Sequence, residues 1–91
     1  MLNMTKIYID TRELSHPKPM EMAMKILQTL EKNSYLYMLH KREPHPLIDL
    51  AKENNFKVLR KEDKKNNWHI LISHNLDINL DDYLDKEYFN V

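Results

Sequence analysis

Ninety-one residues with 42% hydrophobic and 31% charged side chains describe one ordered domain with one modest core, which excludes a disordered polar chain. The chain has no cysteine, hence no disulfide, thiolate nucleophile, Cys-ligated zinc or iron–sulfur cluster, and no glycine, hence no glycine-rich phosphate loop or dinucleotide fingerprint. The formal charge is zero but divided: residues 1–74 carry 13 Lys/Arg against 9 Asp/Glu, whereas residues 75–91 set Lys86 against Asp77, Asp81, Asp82, Asp85 and Glu87, and a body so weakly basic lacks the positive stripe that nucleic acid demands.

Taken in chain order, "KIYID" (6–10) alternates and predicts a short strand with Ile7 and Ile9 inward. From 19 to 32, Met20, Ala23, Met24, Leu27 and Leu30 form one helical stripe, widened by Met22 and Ile26 and closed by Asn33–Ser34. "YLYML" (35–39) is β-rich and almost continuously apolar, as a central strand would be. After the break at "KREPHP", Leu47, Leu50 and Ala51 resume helical spacing up to Asn54–Asn55, where an asparagine takes the left-handed cap position. "FKVLR" (56–60) and "WHILIS" (68–73) alternate around the polar turn "KKNN" and predict a hairpin. The order β-α-β-α-β-β gives an α/β fold of the α+β two-layer sandwich type, with two helices on one face of a four-stranded sheet. Right-handed crossovers make successive strands parallel and bring both helix starts to one sheet edge, setting loop 10–19 beside loop 40–46.

Residues 1–74 are therefore expected to form the domain and residues 75–91 an acidic tail. Leu76, Ile78, Leu80, Tyr83, Leu84 and Phe89 suit the tail for docking on the open sheet face, beside Tyr8, Tyr35 and Tyr37, with a short helix within 79–88; the alternative is a frayed end. No run of eighteen apolar residues would span a membrane, and "MLNMTKIYID" lacks the layout of a signal peptide, so the expected location is the cytoplasm, without membrane contact.

Two His-Pro pairs, in "LSHPKPMEM" (14–22) and "EPHPLIDL" (43–50), stand at the two helix starts. Proline suits the first helical position, which places Pro46 there with His45 near the N-cap, and either Pro17 or Pro19 in the first helix. The positive end of a helix disfavours imidazolium, so His16 and His45 are expected to be neutral. Three readings stand side by side. In one, the histidines only pack on their prolines. In the second, His16, Lys18, Arg12, Arg42 and His45 form a small-ligand or anion site, with Arg42 as bidentate donor and helix N–H groups assisting. In the third, His16 and His45, with Glu43, grip a transition metal, although loop ligands without a close His-x₃-His pair are a weak metal signal. No catalytic residue is assigned: Glu43 and His45 offer acid–base groups, but no nucleophile stands in a matching motif, and Glu13 and Glu43 are free to pair with Arg12 and Arg42. His40, His69 and His74 are read as structural or exposed, and Trp68 and the helical methionines as core.

"IDTRELSHPKPMEMAMKIL" resembles the opening of the TusA/SirA sulfur-carrier superfamily, in which Asp-x-Arg-Gly-Leu precedes Cys-Pro-x-Pro and a helix. Asp10, Arg12, Leu14, Pro17 and Pro19 match; Glu13 occupies the glycine position and His16 the cysteine position. "REPHPL" (42–47) resembles more specifically an uncharacterised sister family whose later "GF" and last-strand Trp have counterparts in Asn55–Phe56 and Trp68. The resemblance covers about residues 5–74. It implies a mixed sheet in order 1-2-4-3 with the fourth strand antiparallel, and a protein partner of redox or metalloprotein type. Sulfur carriage needs a thiol to hold a persulfide, and an imidazole cannot do so, which excludes sulfurtransferase activity. The expectation is a non-thiol TusA-like binding or adaptor module, without a resident cofactor, monomeric or weakly dimeric. The rival is an interaction domain working through the open sheet face and tail.

Overall fold

Ile7 and Ile9 of β1 (Thr5–Asp10) turn toward the helices, as their alternation predicts, and pair in register with Leu36 and Met38 of β2 (Ser34–His40). The computed structural model describes residues 3–89. Between these strands lies α1 (Lys18–Gln28); α2 (His45–Glu53), β3 (Lys57–Glu62) and β4 (Trp68–Ser73) follow. The sheet order is β1-β2-β4-β3, with β1 parallel to β2 and β4 antiparallel to both its neighbours. This is the mixed, two-helix sandwich expected of the chain. No helix among the described residues is long and apolar enough to cross a membrane.

The continuous apolarity of β2 has a physical cause: both its faces are covered. Leu36 and Met38 join Ile70 and Ile72 of β4, Ala23 and Leu27 of α1, and Leu47 and Ala51 of α2 in the core on the helical side. Tyr35, Tyr37 and Leu71 point the other way and pack with Leu80 and Leu84. Those two leucines belong to the acidic C-terminal segment, which makes two short 3₁₀ turns, Leu80–Tyr83 and Lys86–Tyr88, across the second face. Lys6 Nζ reaches both carboxylate oxygens of Asp85 at 3.0 Å, and the rings of Tyr35 and Tyr83 meet at 5.0 Å.

The first helix is shorter than the apolar pattern predicts. It ends at Gln28 because Thr29 leaves helical geometry; the Thr29 N–H bonds to Ile26 O and the Leu30 N–H to Leu27 O, closing the last turn. Leu30 nonetheless stays buried, carried inward by the turn that follows. Met22 and Met24, predicted in the stripe, are instead 36% exposed, because Pro19, Ala23 and Leu27 form the buried line and Ala23 leaves room for close approach to the sheet. The end of α2 agrees with expectation. Asn55 takes φ 63°, and the bonds Phe56 N–H to Ala51 O and Asn55 N–H to Lys52 O complete a Schellman cap. Asn55→Ala is expected to cost about 1 kcal/mol in a urea melt, because a Cβ disfavours this conformation, whereas Asn55→Gly should hold or raise the midpoint.

One polar network crosses the apolar layer under the tail. The Asp85 N–H donates to Tyr37 Oη (3.1 Å), and the Tyr37 hydroxyl, its oxygen already serving as acceptor there, donates to His69 Nδ1 (2.7 Å). That leaves His69 Nε2–H to donate to Asp63 Oδ2 at 2.8 Å. The other Asp63 oxygen accepts the N–H groups of Lys65 (2.8 Å) and Asn67 (3.0 Å) in the hairpin turn. Burial pushes the Asp63 carboxyl upward, but hydrogen bonds from His69, Asn67 and Lys65 outweigh it and hold the group below the usual carboxylate range. Burial raises the Tyr37 phenol strongly, keeping it a donor.

Candidate functional site

Because β1 and β2 run parallel, the loops that leave them toward α1 and α2 start at the same end of the sheet, and they line one cavity of about 630 Å³. Thr11, fully buried just past β1, pins the first loop: its N–H and its hydroxyl both donate to the Leu39 carbonyl, at 2.9 and 3.0 Å. Arg12 then folds back on Asp10. Its Nε and Nη2 grip the two carboxylate oxygens at 3.0 and 2.8 Å, and its N–H adds a bond of 3.1 Å. The Arg12 hydrogen bond holds the Asp10 carboxyl below its ordinary range. Arg12 thus lines the cavity with its fork already engaged.

Neither helix starts quite where the prolines suggest. Pro17 and Pro44 are the N-caps, whose carbonyls accept Glu21 N–H and Ile48 N–H at 3.0 Å; Lys18 and His45 come first in the helices, and Pro19 and Pro46 second. A missing N–H costs nothing anywhere in the first turn, so the shift is tolerated. The consequence is a matched pair of open amides. Lys18 N–H bonds to Ser15 O and His45 N–H to Glu43 O, and the prolines have none to offer. Among the described residues, the amides of Met20 and Leu47 are the first-turn donors left over, and both residues line the cavity.

Of the residues singled out from the sequence, Arg12, His16 and Arg42 line this cavity together, while Lys18 and His45 are not part of its wall. The side chain of His45 is 68% exposed and turns to Glu43 at 3.3 Å. Glu43 also meets Arg60 at 2.6 Å, and Arg12 belongs to Asp10, so the pairings Glu13–Arg12 and Glu43–Arg42 open to the sequence are not those that form. Among the described residues, Lys41 and Arg42 have no carboxylate partner, and both stand on the cavity wall. Also among the described residues, no group of three or more His, Cys, Asp or Glu side chains is placed to hold a metal ion.

His40, expected to be structural or exposed, also reaches the cavity. It is the last residue of β2 and shares the inward parity of Leu36 and Met38, so it emerges where the sheet meets the two loops, on the cavity wall. Its Nδ1 lies 3.0 Å from Thr11 Oγ1. Burial lowers its pKa; hydrogen bonding to Thr11 opposes this, and Arg42 and Lys41 add to it, so the ring stays neutral below the ordinary imidazole range. The parity was visible in the sequence; the position of the strand's end was not.

A family model described as "Uncharacterized conserved protein (DUF2249)" matches residues 8–74. The chain belongs to this family. No curated protein and no solved structure matches it. The DUF2249 match contains both cavity-lining loops and His40, and it stops before the tail that covers the second face of the sheet.

Proposed function

We propose that this DUF2249 chain is a non-thiol binding module that takes a small organic anion with an apolar body into the cleft between its two proline-rich loops. The observation carrying this reading is the make-up of that one cavity. Lys41 and Arg42 supply charge without a carboxylate partner among the described residues, the amides of Met20 and Leu47 supply donors, and Pro19, Met20, Met38 and Leu47 supply an apolar wall. Its volume of about 630 Å³ lies in the range of small-molecule sites. The resemblance to TusA/SirA carriers supports the same edge, since His16, at the carrier-cysteine position, lines the cavity. Without a thiol, the reading is binding or adaptor work rather than sulfur transfer, and it needs no resident metal. A protein of redox type remains the proposed partner, and the cytoplasm the proposed location. The rival route through the open sheet face would first have to displace the tail, which already covers Tyr35 and Tyr37.

Titration with short branched carboxylates, followed by amide NMR, is expected to shift residues 12–20 and 41–47. Arg42→Ala should weaken binding about tenfold, the value of one charge-assisted hydrogen bond. Shifts that are absent, or spread evenly over the sheet, would refute the site.

A further inference from the structure

We infer that His40 is a specificity-determining acceptor in this cleft, selecting anions that carry a hydroxyl beside the charged group, with small hydroxycarboxylates as the ligand class. The inference rests on the binding function proposed above and adds to it what the ligand must donate.

The Thr11 hydroxyl has one hydrogen, and it is spent on the Leu39 carbonyl at 3.0 Å. Toward His40 Nδ1, also at 3.0 Å, Thr11 Oγ1 is left as an acceptor, so Nδ1 carries the ring proton. Nε2 is then bare, and it is the one polar atom of this ring still unpaired among the described residues. Around it, the cavity is otherwise rich in donors: Lys41, Arg42, His16 and the amides of Met20 and Leu47. A plain carboxylate satisfies those donors and leaves Nε2 unmet. A hydroxycarboxylate satisfies the donors with its oxygens and Nε2 with its O–H. Thr11 is fully buried and tied to β2 through two bonds to one carbonyl, so the tautomer is held by the fold rather than chosen by the ligand.

Thr11 at the end of β1 touches His40, and the titratable and charged groups that share the cavity wall with it are Arg12, Glu13 and His16 in the first loop and Lys41, Arg42 and Glu43 in the second. Lys41 and Arg42 oppose its protonation, as burial does, so discrimination should persist to a pH below the ordinary imidazole value of 6.5. Below that range both ring nitrogens donate. Carboxylate binding in general then strengthens, and the preference for a hydroxyl narrows, because Nε2–H is met by a carboxylate oxygen as well as by a hydroxyl oxygen.

The test compares leucate with isocaproate, which differ by that hydroxyl, using calorimetry and amide shifts on the full chain. One leucate enantiomer is expected to bind about fivefold tighter than isocaproate at neutral pH, the value of one neutral hydrogen bond. His40→Phe and Thr11→Val should each bring leucate and isocaproate to equal affinity; His74→Asn, outside the cleft, should keep the preference and its narrowing in acid. Thr11→Val preserves side-chain shape, so the test survives if His40→Phe does not fold. Equal affinities in the parent chain, or a preference untouched by both variants, would overturn the role of His40 and leave the binding site standing. Failure of both ligands to shift either loop would overturn the binding site and this inference together.

Discussion

Asp63→Ala is expected to lower the urea midpoint by about 2 M, because a loss near 3 kcal/mol is divided by a denaturant slope of about 1.5 kcal/mol per M. The size follows from what the substitution strands. His69 is fully buried and Asp63 almost so, and among the described residues the imidazole has no second acceptor for its Nε2–H. The two hairpin amides, Lys65 and Asn67, lose their acceptor as well, although water can reach them in part. Among the described residues, no buried side-chain nitrogen or oxygen lacks a partner, so the variant introduces a defect the parent does not have. For a domain of this size, whose total stability is roughly 5–15 kcal/mol, that defect removes a large share. Asp63→Asn keeps an acceptor for the hairpin and should fall between parent and alanine variant. A midpoint within 0.3 M of the parent, as a rough error limit, would mean that the network contributes little.

The same residue sets an acid limit. The Asp63 carboxyl titrates lower in the folded chain than its ordinary 3.8, so the folded state favours the ionised form. Its contribution is complete above 3.8 and is lost as pH falls through the lower, folded value. Stability measured against pH should therefore bend downward below 3.8 in the parent and run flatter in Asp63→Asn. A bend of equal depth in both would assign acid sensitivity to other carboxylates.

Alternation and turn chemistry made most of this fold legible. Ile7 and Ile9, Leu36 and Met38, and Ile70 and Ile72 occupy one face because strands repeat every two residues, and Asn55 caps α2 because asparagine tolerates positive φ. The parallel course of β1 and β2 then sets the two loops at one end of the sheet, and they meet around one cavity. What pattern could not convey was side-chain direction at irregular positions. His45 stands at a helix start beside the cleft, yet its ring is drawn to Glu43 two residues earlier. Arg12 looks like a free cation in the sequence, but Asp10 lies at the spacing that lets the chain turn and close a fork. The network of Asp63, His69 and Tyr37 joins residues from the hairpin turn, β4 and β2, and only strand pairing brings them within reach. The shortened α1 has a similar cause: apolar periodicity continues to Leu30, whereas the helical backbone conformation stops before Thr29.

The second large effect is expected from the tail. Removing residues 75–91 should expose Tyr35, Tyr37 and Leu71, take the Asp85 amide away from Tyr37, and strip Tyr88 and Phe89 from the His69 ring, which they approach at 4.8 and 4.9 Å. Leu80 and Leu84 are 3% and 5% exposed, and restoring two such side chains to water costs about 4 kcal/mol before any cavity is counted. The Lys6–Asp85 pair lies at the surface and adds much less. Lys57, whose amine meets the carbonyls of Leu76 and Ile78, would lose both acceptors. The truncated chain should therefore self-associate in sedimentation at micromolar concentration and bind a hydrophobic dye, because a bare aromatic sheet face of this kind seeks a cover. For the case in which the truncated chain does not fold, the double variant Leu80→Ala/Leu84→Ala provides the graded measurement. It keeps the acidic residues and should lower the urea midpoint by at least as much as Asp63→Ala, with the loop amides 12–20 and 41–47 unmoved. A truncated chain that stays monomeric and melts like the parent would show that Leu80 and Leu84 rest on the sheet without supporting it. Loss of carboxylate binding in a double variant that remains folded would show instead that the two faces of the sheet are coupled through β2.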